Sequence, residues 1–352
     1  MTTYQIDKQT VEHAVYGGVI LGGGGGGWVN DGLQIGNLAL ELGDPTIISA
    51  DQLKDEDLLV TVSLVGAPAA KEKYLKPVHY LRAIDLLQEK LQQTIKGIIT
   101  NENGAGGTVN GWLQSAMLGI PVIDLPCNGR AHPTGTMGSL NLTEQPGYQS
   151  IQTAVGGKGA RYVETVVTGT LDVASTLVRK ASIEAGGLVA VARNPVQAGY
   201  AKQHGAPGGL LQAIQAGKAL RSQTGPKAIA AVAEELGGKV VAEGTVTDFV
   251  LETKGGFDVG AVTIEKSLHM TFWNEFMTLD MNGERLATFP DLIMTFDAET
   301  AEPIVSGAIQ EGQKLAILTV PKDKLILSST MYNVKLLQTV EAILDEKIVN
   351  YL

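Results

Sequence analysis

A single cysteine, Cys127, in 352 residues excludes an internal disulfide and suits a reducing compartment. Positive charge is scarce, with 27 Lys and Arg against 37 Asp and Glu and a formal net charge of −10. That balance argues against nucleic acid or an anionic membrane as partner, because both reward basic surfaces. No apolar run reaches the roughly 18 residues that a membrane span needs. The opening Met1-Thr2-Thr3-Tyr4-Gln5-Ile6-Asp7 lacks the basic-then-apolar order of a secretory signal. A cytoplasmic location is therefore expected. Standard signatures are missing too: there is no Walker loop, no H-E-x-x-H, no paired C-x-x-C and no G-x-S-x-G.

What the chain has is apolar bulk and glycine. Hydrophobic residues at 44% and charged residues at 18% place it among globular proteins able to bury a sizeable core. Its length exceeds that at which one core usually keeps growing, so two domains are expected. The 43 glycines cluster at element junctions. Val11, Ala14, Val15, Gly18 and Val19 have helical spacing, with Thr10 as a candidate N-cap. A second helix should run from near Asn30 or Asp31 to about Leu42. The run Gly22 to Gly27 thus lies between helices. It contains a G-x-G-x-x-G only trivially, since a dinucleotide site needs a strand before it. Gly23, Gly24, Gly25 and Gly26 are read instead as a wall of backbone that approaches a ligand.

Strand-like runs at Leu58–Val65, Lys96–Thr100 and Ile120–Ile123 alternate with helical spacing at Leu81–Leu91 and Val109–Leu118, which is the pattern of an α/β layered domain. We expect that domain over residues 1–165. Mainly helical patterns, Thr168–Ala185 and Gly208–Leu236 with a short strand at Leu188–Ala192, should continue it over 166–238. A smaller β-rich domain, barrel- or sandwich-like, should occupy 239–352.

The densest polar cluster is Asp124-Leu125-Pro126-Cys127-Asn128-Gly129-Arg130-Ala131-His132-Pro133, directly after a predicted strand. Upstream, Asn101-Glu102-Asn103-Gly104-Ala105-Gly106-Gly107-Thr108 separates another strand from a helix. If the two strands are parallel neighbours, both loops open on the ligand-binding edge of one sheet. Glu102, Asn103, Asp124, Cys127, Asn128, Arg130 and His132 could then line one pocket, with the Gly106 and Gly107 backbone near a bound anion. A second polar set, His269, Asn274, Glu275 and Asp291, lies in the β-rich half and is expected to face the same cleft. On a single strand, His269 and Glu275 would share a face and Asn274 would not. Cys127, His132, His269 and Asp291 are suitable ligand types for a divalent metal such as zinc, but no spacing fixes them together.

With these residues in view, the chain resembles a bacterial family named for S-methyl thiohydantoin desulfurase and associated with hydantoinases and oxoprolinases. The resemblance covers nearly the whole chain. It rests on Leu21 to Gly27, Gly66-Ala67-Pro68 followed by Glu72, the pattern of Asp124, Gly129, Arg130, Ala131 and Pro133, and Asn274-Glu275 followed by Pro290-Asp291-Leu292-Ile293. It implies an α/β domain followed by a β-rich domain, and hydrolysis of a five-membered thiohydantoin- or hydantoin-like ring carrying a carboxylate. The chain has Pro126 and Thr134 where the family often has carboxylates, His132 where it has an aromatic, and Trp28-Val29-Asn30 in place of an Asp-Pro pair. Those departures move the expected acid/base set to Glu102, Asp124, Cys127 and His132. Arg130 would hold the substrate carboxylate, and Gly23 to Gly26, Gly106, Gly107, Asn103, Asn128, Asn274, Glu275 and Asp291 would line its site. The expected partners are a small anionic substrate and further copies of the chain. The alternative is a non-catalytic metabolite-binding subunit of a hydantoinase- or oxoprolinase-type complex.

Overall fold

The computed structural model describes residues 3–66, 70–254 and 257–352; Ala67 and Pro68 of the Gly66-Ala67-Pro68 segment lie outside these. The first half runs β1 (Thr3–Gln5), α1 (Lys8–Gly22), α2 (Val29–Leu42), β2 (Thr46–Ser49), β3 (Leu58–Gly66), α3 (Pro77–Leu91), β4 (Gly97–Thr100), α4 (Trp112–Leu118) and β5 (Val122–Asp124). It continues with β6 (Ser150–Gly156), β7 (Val163–Gly169), α5 (Leu171–Glu184) and β8 (Leu188–Gln197). These strands form one sheet in the order β1-β2-β5-β4-β3-β8-β6-β7. β2, β5, β4 and β3 are parallel, and β1, β8, β6 and β7 are added antiparallel.

The parallel pairing of β4 with β5, joined through α4, brings the loops after Thr100 and Asp124 to the same sheet edge. Two local expectations differ from the fold. The first helix begins before Thr10, because the Asp7 carboxylate caps it, accepting the Thr10 N–H at 2.7 Å and the Thr10 hydroxyl as well. The segment around Thr168 is strand before it is helix: Val163, Glu164, Thr165, Val166, Val167 and Thr168 are mostly β-branched, and exposed and half-buried residues alternate along them.

Three further helices, α6 (Ala198–His204), α7 (Gly209–Arg221) and α8 (Pro226–Leu236), lead into the second half. Helices α1 and α7 cross at near backbone contact. A methyl group placed on Gly17 would lie 1.6 Å from the Ala213 carbonyl oxygen, so only glycine fits there.

The second sheet is antiparallel throughout and comprises β9 (Lys239–Lys254), β10 (Phe257–Ile264), β11 (Leu268–Trp273), β12 (Glu275–Met281), β13 (Glu284–Thr288), β14 (Leu292–Asp297), β15 (Pro303–Ile304) and β16 (Lys314–Val320). Its order is β13-β12-β11-β10-β9-β16-β14-β15. The long β9 pairs with β16 along its first half and with β10 along its second. A last helix, α9 (Val334–Leu344), follows. The protein is therefore an α/β domain followed by a β-rich domain, as the alternation of patterns implied. The two share packing: residues of α1, α7 and α8 form one core with Leu292, Met294, Phe296, Leu318 and Val320 of the second sheet. No described helix is long and apolar enough to cross a membrane.

Candidate functional site

The glycine run is the seam between the two sheets. The Gly23 carbonyl accepts the Phe276 N–H at 2.7 Å, that of Gly24 accepts the Ser306 N–H at 3.0 Å, and that of Gly26 accepts the Gly106 N–H at 3.1 Å. Side chains would not fit. A methyl group on Gly23 would lie 2.4 Å from Arg130 Nη2, one on Gly25 would lie 1.9 Å from Glu275 Oε1, and one on Gly26, which has φ +81°, would lie 2.5 Å from the Gly104 Cα. The run therefore approaches other parts of this chain, with its carbonyls already engaged.

Arg130 is fully buried in that seam. Its Nη1 donates to the Pro290 carbonyl at 3.0 Å and to the Asp291 carbonyl, and its guanidinium carbon lies 4.6 Å from the centre of the Phe289 ring. Loop and second sheet are thus braced by one cation. One nitrogen of the guanidinium fork expected to face a substrate is thus engaged by the protein, while Nε and Nη2 are buried without a hydrogen-bond partner among the described residues. Glu275 is also buried, with Oε2 unpartnered. Burial raises its carboxyl well above the ordinary range, opposed by Arg130.

Glu102 and His132 form the part of the cluster nearest solvent. His132 Nε2 stands 3.1 Å from Glu102 Oε2, and the side chains are 2% and 15% exposed respectively. The contact is close but poorly aligned for a hydrogen bond, since neither imidazole nitrogen has a hydrogen-bond partner among the described residues. Burial lifts Glu102 to about 7, against the pull of the His132 backbone N–H and of Arg193. Burial also drops His132 to about 4, outweighing the nearby Asn101 and Thr134 carbonyls. At neutral pH the imidazole is uncharged and the carboxyl is half-ionised.

Several predicted residues support the site by packing. Asp124 Oδ1 accepts the backbone N–H groups of Leu210 at 2.8 Å and Leu211 at 3.3 Å, at the amino end of α7. Through Oδ1 it anchors a helix, and burial raises its carboxyl to about 6 against the pull of those N–H groups. Asp124→Ala is expected to lower stability by about 1–2 kcal/mol, and Asp124→Asn, which keeps an acceptor oxygen, to recover most of it; denaturant unfolding measures both. Cys127 is buried 3.3 Å from the Thr61 hydroxyl, and burial pushes its thiol up to about 11, so it holds its proton at neutral pH. Asn103 donates to the Gly129 and Gly209 carbonyls, and Asn128 donates to the Met137 carbonyl while accepting the Ser328 hydroxyl. The Asp291 carboxylate accepts the Lys322 N–H at 2.8 Å.

The second polar set divides. Asn274, with φ 56°, is the turn between β11 and β12, so His269 and Glu275 lie on different strands. In the register Trp273 faces Glu275 while His269 faces Asp280 at the far end of the hairpin. His269 is exposed and its Nδ1 lies 3.3 Å from the Thr263 hydroxyl, so it does not share the cleft. This also dissolves the zinc set of Cys127, His132 and His269. Among the described residues no three His, Cys, Asp or Glu side chains converge on a metal position.

One buried charged residue was not foreseen. Arg193 on β8 is 4% exposed and lies in cross-strand register with Thr61 of β3 and Gln152 of β6. Its charge interacts with Glu102 and Cys127, so it belongs to the same cluster. Two surface grooves, of about 480 Å³ beside α7 and α8 and of about 340 Å³ around Lys71 and Lys158, contain none of these residues.

The fold and cluster define a two-domain α/β protein with Glu102 and His132 in close contact at the carboxyl edge of its parallel strands. Residues 9–163 match the S-Me-THD-like N-terminal domain and residues 170–334 the S-Me-THD-like C-terminal domain, and the chain belongs to this family. The gap between those matches falls on β7, whereas β8, within the second match, returns to the first sheet. A protein from Chromobacterium violaceum, known from an X-ray crystal structure, is similar at a TM-score of 0.74 and 21% identity over 97% of this chain and 96% of that one. At that identity the likeness concerns the fold alone. No curated protein matches the sequence significantly.

Proposed function

We propose that this protein is a hydrolase acting on a small five-membered ring of the S-methyl thiohydantoin or hydantoin type. The observation that carries the reading is Glu102, a carboxyl held at about 7 by burial, partly open to solvent and 3.1 Å from an uncharged imidazole. Family membership supports the ring chemistry. In an S-methyl thiohydantoin the ring carbon bonded to sulfur is amidine-like and open to water. The Glu102 carboxylate takes one proton as water oxygen bonds to that carbon, and the uncharged His132 holds the water or relays the proton. The C–S bond then breaks, and methanethiol leaves with a proton from the carboxyl. The ring keeps the new carbonyl, and the remaining water proton ends on the ring nitrogen.

The engagement of Asp124 and Cys127 in packing favours a second reading, a non-catalytic subunit that only binds the ring. One experiment separates the two. Purified protein is incubated with S-methyl thiohydantoin propionate and with hydantoin, while released thiol is titrated and ring absorbance followed. Thiol release or ring opening supports the hydrolase, and saturable binding without product supports the subunit. Neither binding nor product would remove both.

A further inference from the structure

Arg193 occupies an unusual position for a charged residue. It lies on the interior strand β8, is 4% exposed, and its Nε has no hydrogen-bond partner. Among the described residues its guanidinium makes no hydrogen bond and no ion pair within contact distance, and of its three nitrogens only Nε is both buried and unpartnered; Glu102 and the Cys127 thiol act on it through space, and Arg179 opposes them. Leaving a cation buried without a partner costs several kcal/mol. Directly across the sheet, Gln152 uses its Nε2 on Ser150 and Ser175 while its buried Oε1 is unpartnered. Unpaired polar atoms on adjacent strands thus adjoin the same side of the sheet.

The cover over Arg193 is thin. A methyl group on Gly135 would lie 3.5 Å from Arg193 Nη1, so the loop Thr134-Gly135-Thr136 touches the guanidinium. All three loop residues are half-buried, and the Thr134 and Thr136 hydroxyls bond to each other at 2.9 Å. Asn101 and Glu102 are half-buried as well. A ligand entering beside Glu102 would pass this rim on the way to the guanidinium.

We propose that Arg193 is the carboxylate-binding residue of this site, holding the acidic arm of the substrate beneath the Thr134–Thr136 rim while the ring lies at Glu102. The assignment rests on the hydrolase reading for the position of the ring, but carboxylate binding is measurable without turnover. Arginine suits the task because its planar fork can donate two parallel hydrogen bonds to a carboxylate. The geometry also explains why the cation lacks a partner within the chain: the ligand supplies it. The ligand class is therefore a small ring acid, and a neutral ring of the same shape should be a poor substrate.

The test uses thermal unfolding of the whole protein with glutarate or the uncharged glutaramide, for wild type, Arg193→Met and Arg193→Lys. Glutarate, but not glutaramide, should raise the wild-type Tm through binding to the folded state. Arg193→Met should melt above wild type without ligand, because an unpaired buried charge has gone, and should lose the glutarate response. A lower melting temperature for Arg193→Met, or an undiminished glutarate response, overturns the assignment. Should Arg193→Met fail to fold, Arg193→Lys retains a charge without the fork and should weaken glutarate at least about tenfold; wild-type affinity there overturns it equally. Turnover separates the two claims. A glutarate response without turnover of any ring compound defeats only the hydrolase, whereas equal kcat/KM for ring substrates with carboxylate and carboxamide arms defeats only the role of Arg193.

Discussion

Glu102→Gln is expected to give a folded protein whose turnover of the ring substrate falls by about 10²–10⁴-fold, the usual contribution of a positioned general base. Glutamine keeps the shape and an acceptor oxygen but cannot take a proton from water. The pH profile gives a second readout. Because burial raises Glu102 to about 7, wild-type activity should climb as pH rises through about 7 and then level off. His132, lowered to about 4, is already uncharged throughout that climb and should not shape it. The stability effect has a definite sign. The folded carboxyl binds its proton more tightly than the ordinary group at 4.5, so stability falls as pH rises from about 4.5 to about 7. At 1.36 kcal/mol per pH unit the loss has an upper bound of roughly 3.4 kcal/mol, which the partial exposure of the side chain reduces. Glu102→Gln has no proton to lose there, so it should be more stable than wild type above pH 7. Wild-type rates in Glu102→Gln, or an activity profile flat across pH 7, would show that the base lies elsewhere.

The parts of this site written by local pattern were legible in the sequence. Strand, glycine loop, helix and strand over residues 96–124 follow from apolar runs and glycine punctuation, and parallel pairing then joins Glu102 and His132 without any long-range information. Roles set by distant partners were not legible. Asp124 looks like a free carboxylate until Leu210, 86 positions later, brings a helix amino end to it. The glycine run reads as a ligand wall because glycine reports only that something comes close, and here that something is Arg130, Glu275 and Gly104 of the same chain. His269 and Glu275 read as one strand because the apolar pattern continues through Asn274, although asparagine is one of the few residues that readily adopt a left-handed turn. Arg193 was missed inside the apolar run Leu188-Val189-Ala190-Val191-Ala192. A signal existed: an arginine directly after a run that reads as a buried strand has a charge that needs a partner.

The two buried arginines should respond oppositely to the same substitution, and the larger loss belongs to Arg130. Arg130→Met removes the donor to the Pro290 and Asp291 carbonyls, leaving buried acceptors unmatched, and takes away the cation facing the Phe289 ring. It also strips the buried Glu275 of the positive charge that favours its ionised form. Removing one partner from such a buried arrangement typically costs about 3–5 kcal/mol, so the denaturant midpoint should fall sharply. Adding Glu275→Gln should recover part of the loss, because an amide replaces a carboxyl that has lost its compensating charge. Arg193→Met should move the midpoint the other way, since Arg193 makes no hydrogen bond to be lost. Wild-type stability in Arg130→Met would mean that the seam is held by the backbone bonds of Gly23, Gly24 and Gly26 alone, and would free the Arg130 fork for a ligand. A fall shared with Arg193→Met would instead make both arginines structural, leaving Glu102 and His132 to bind a substrate without a buried cation.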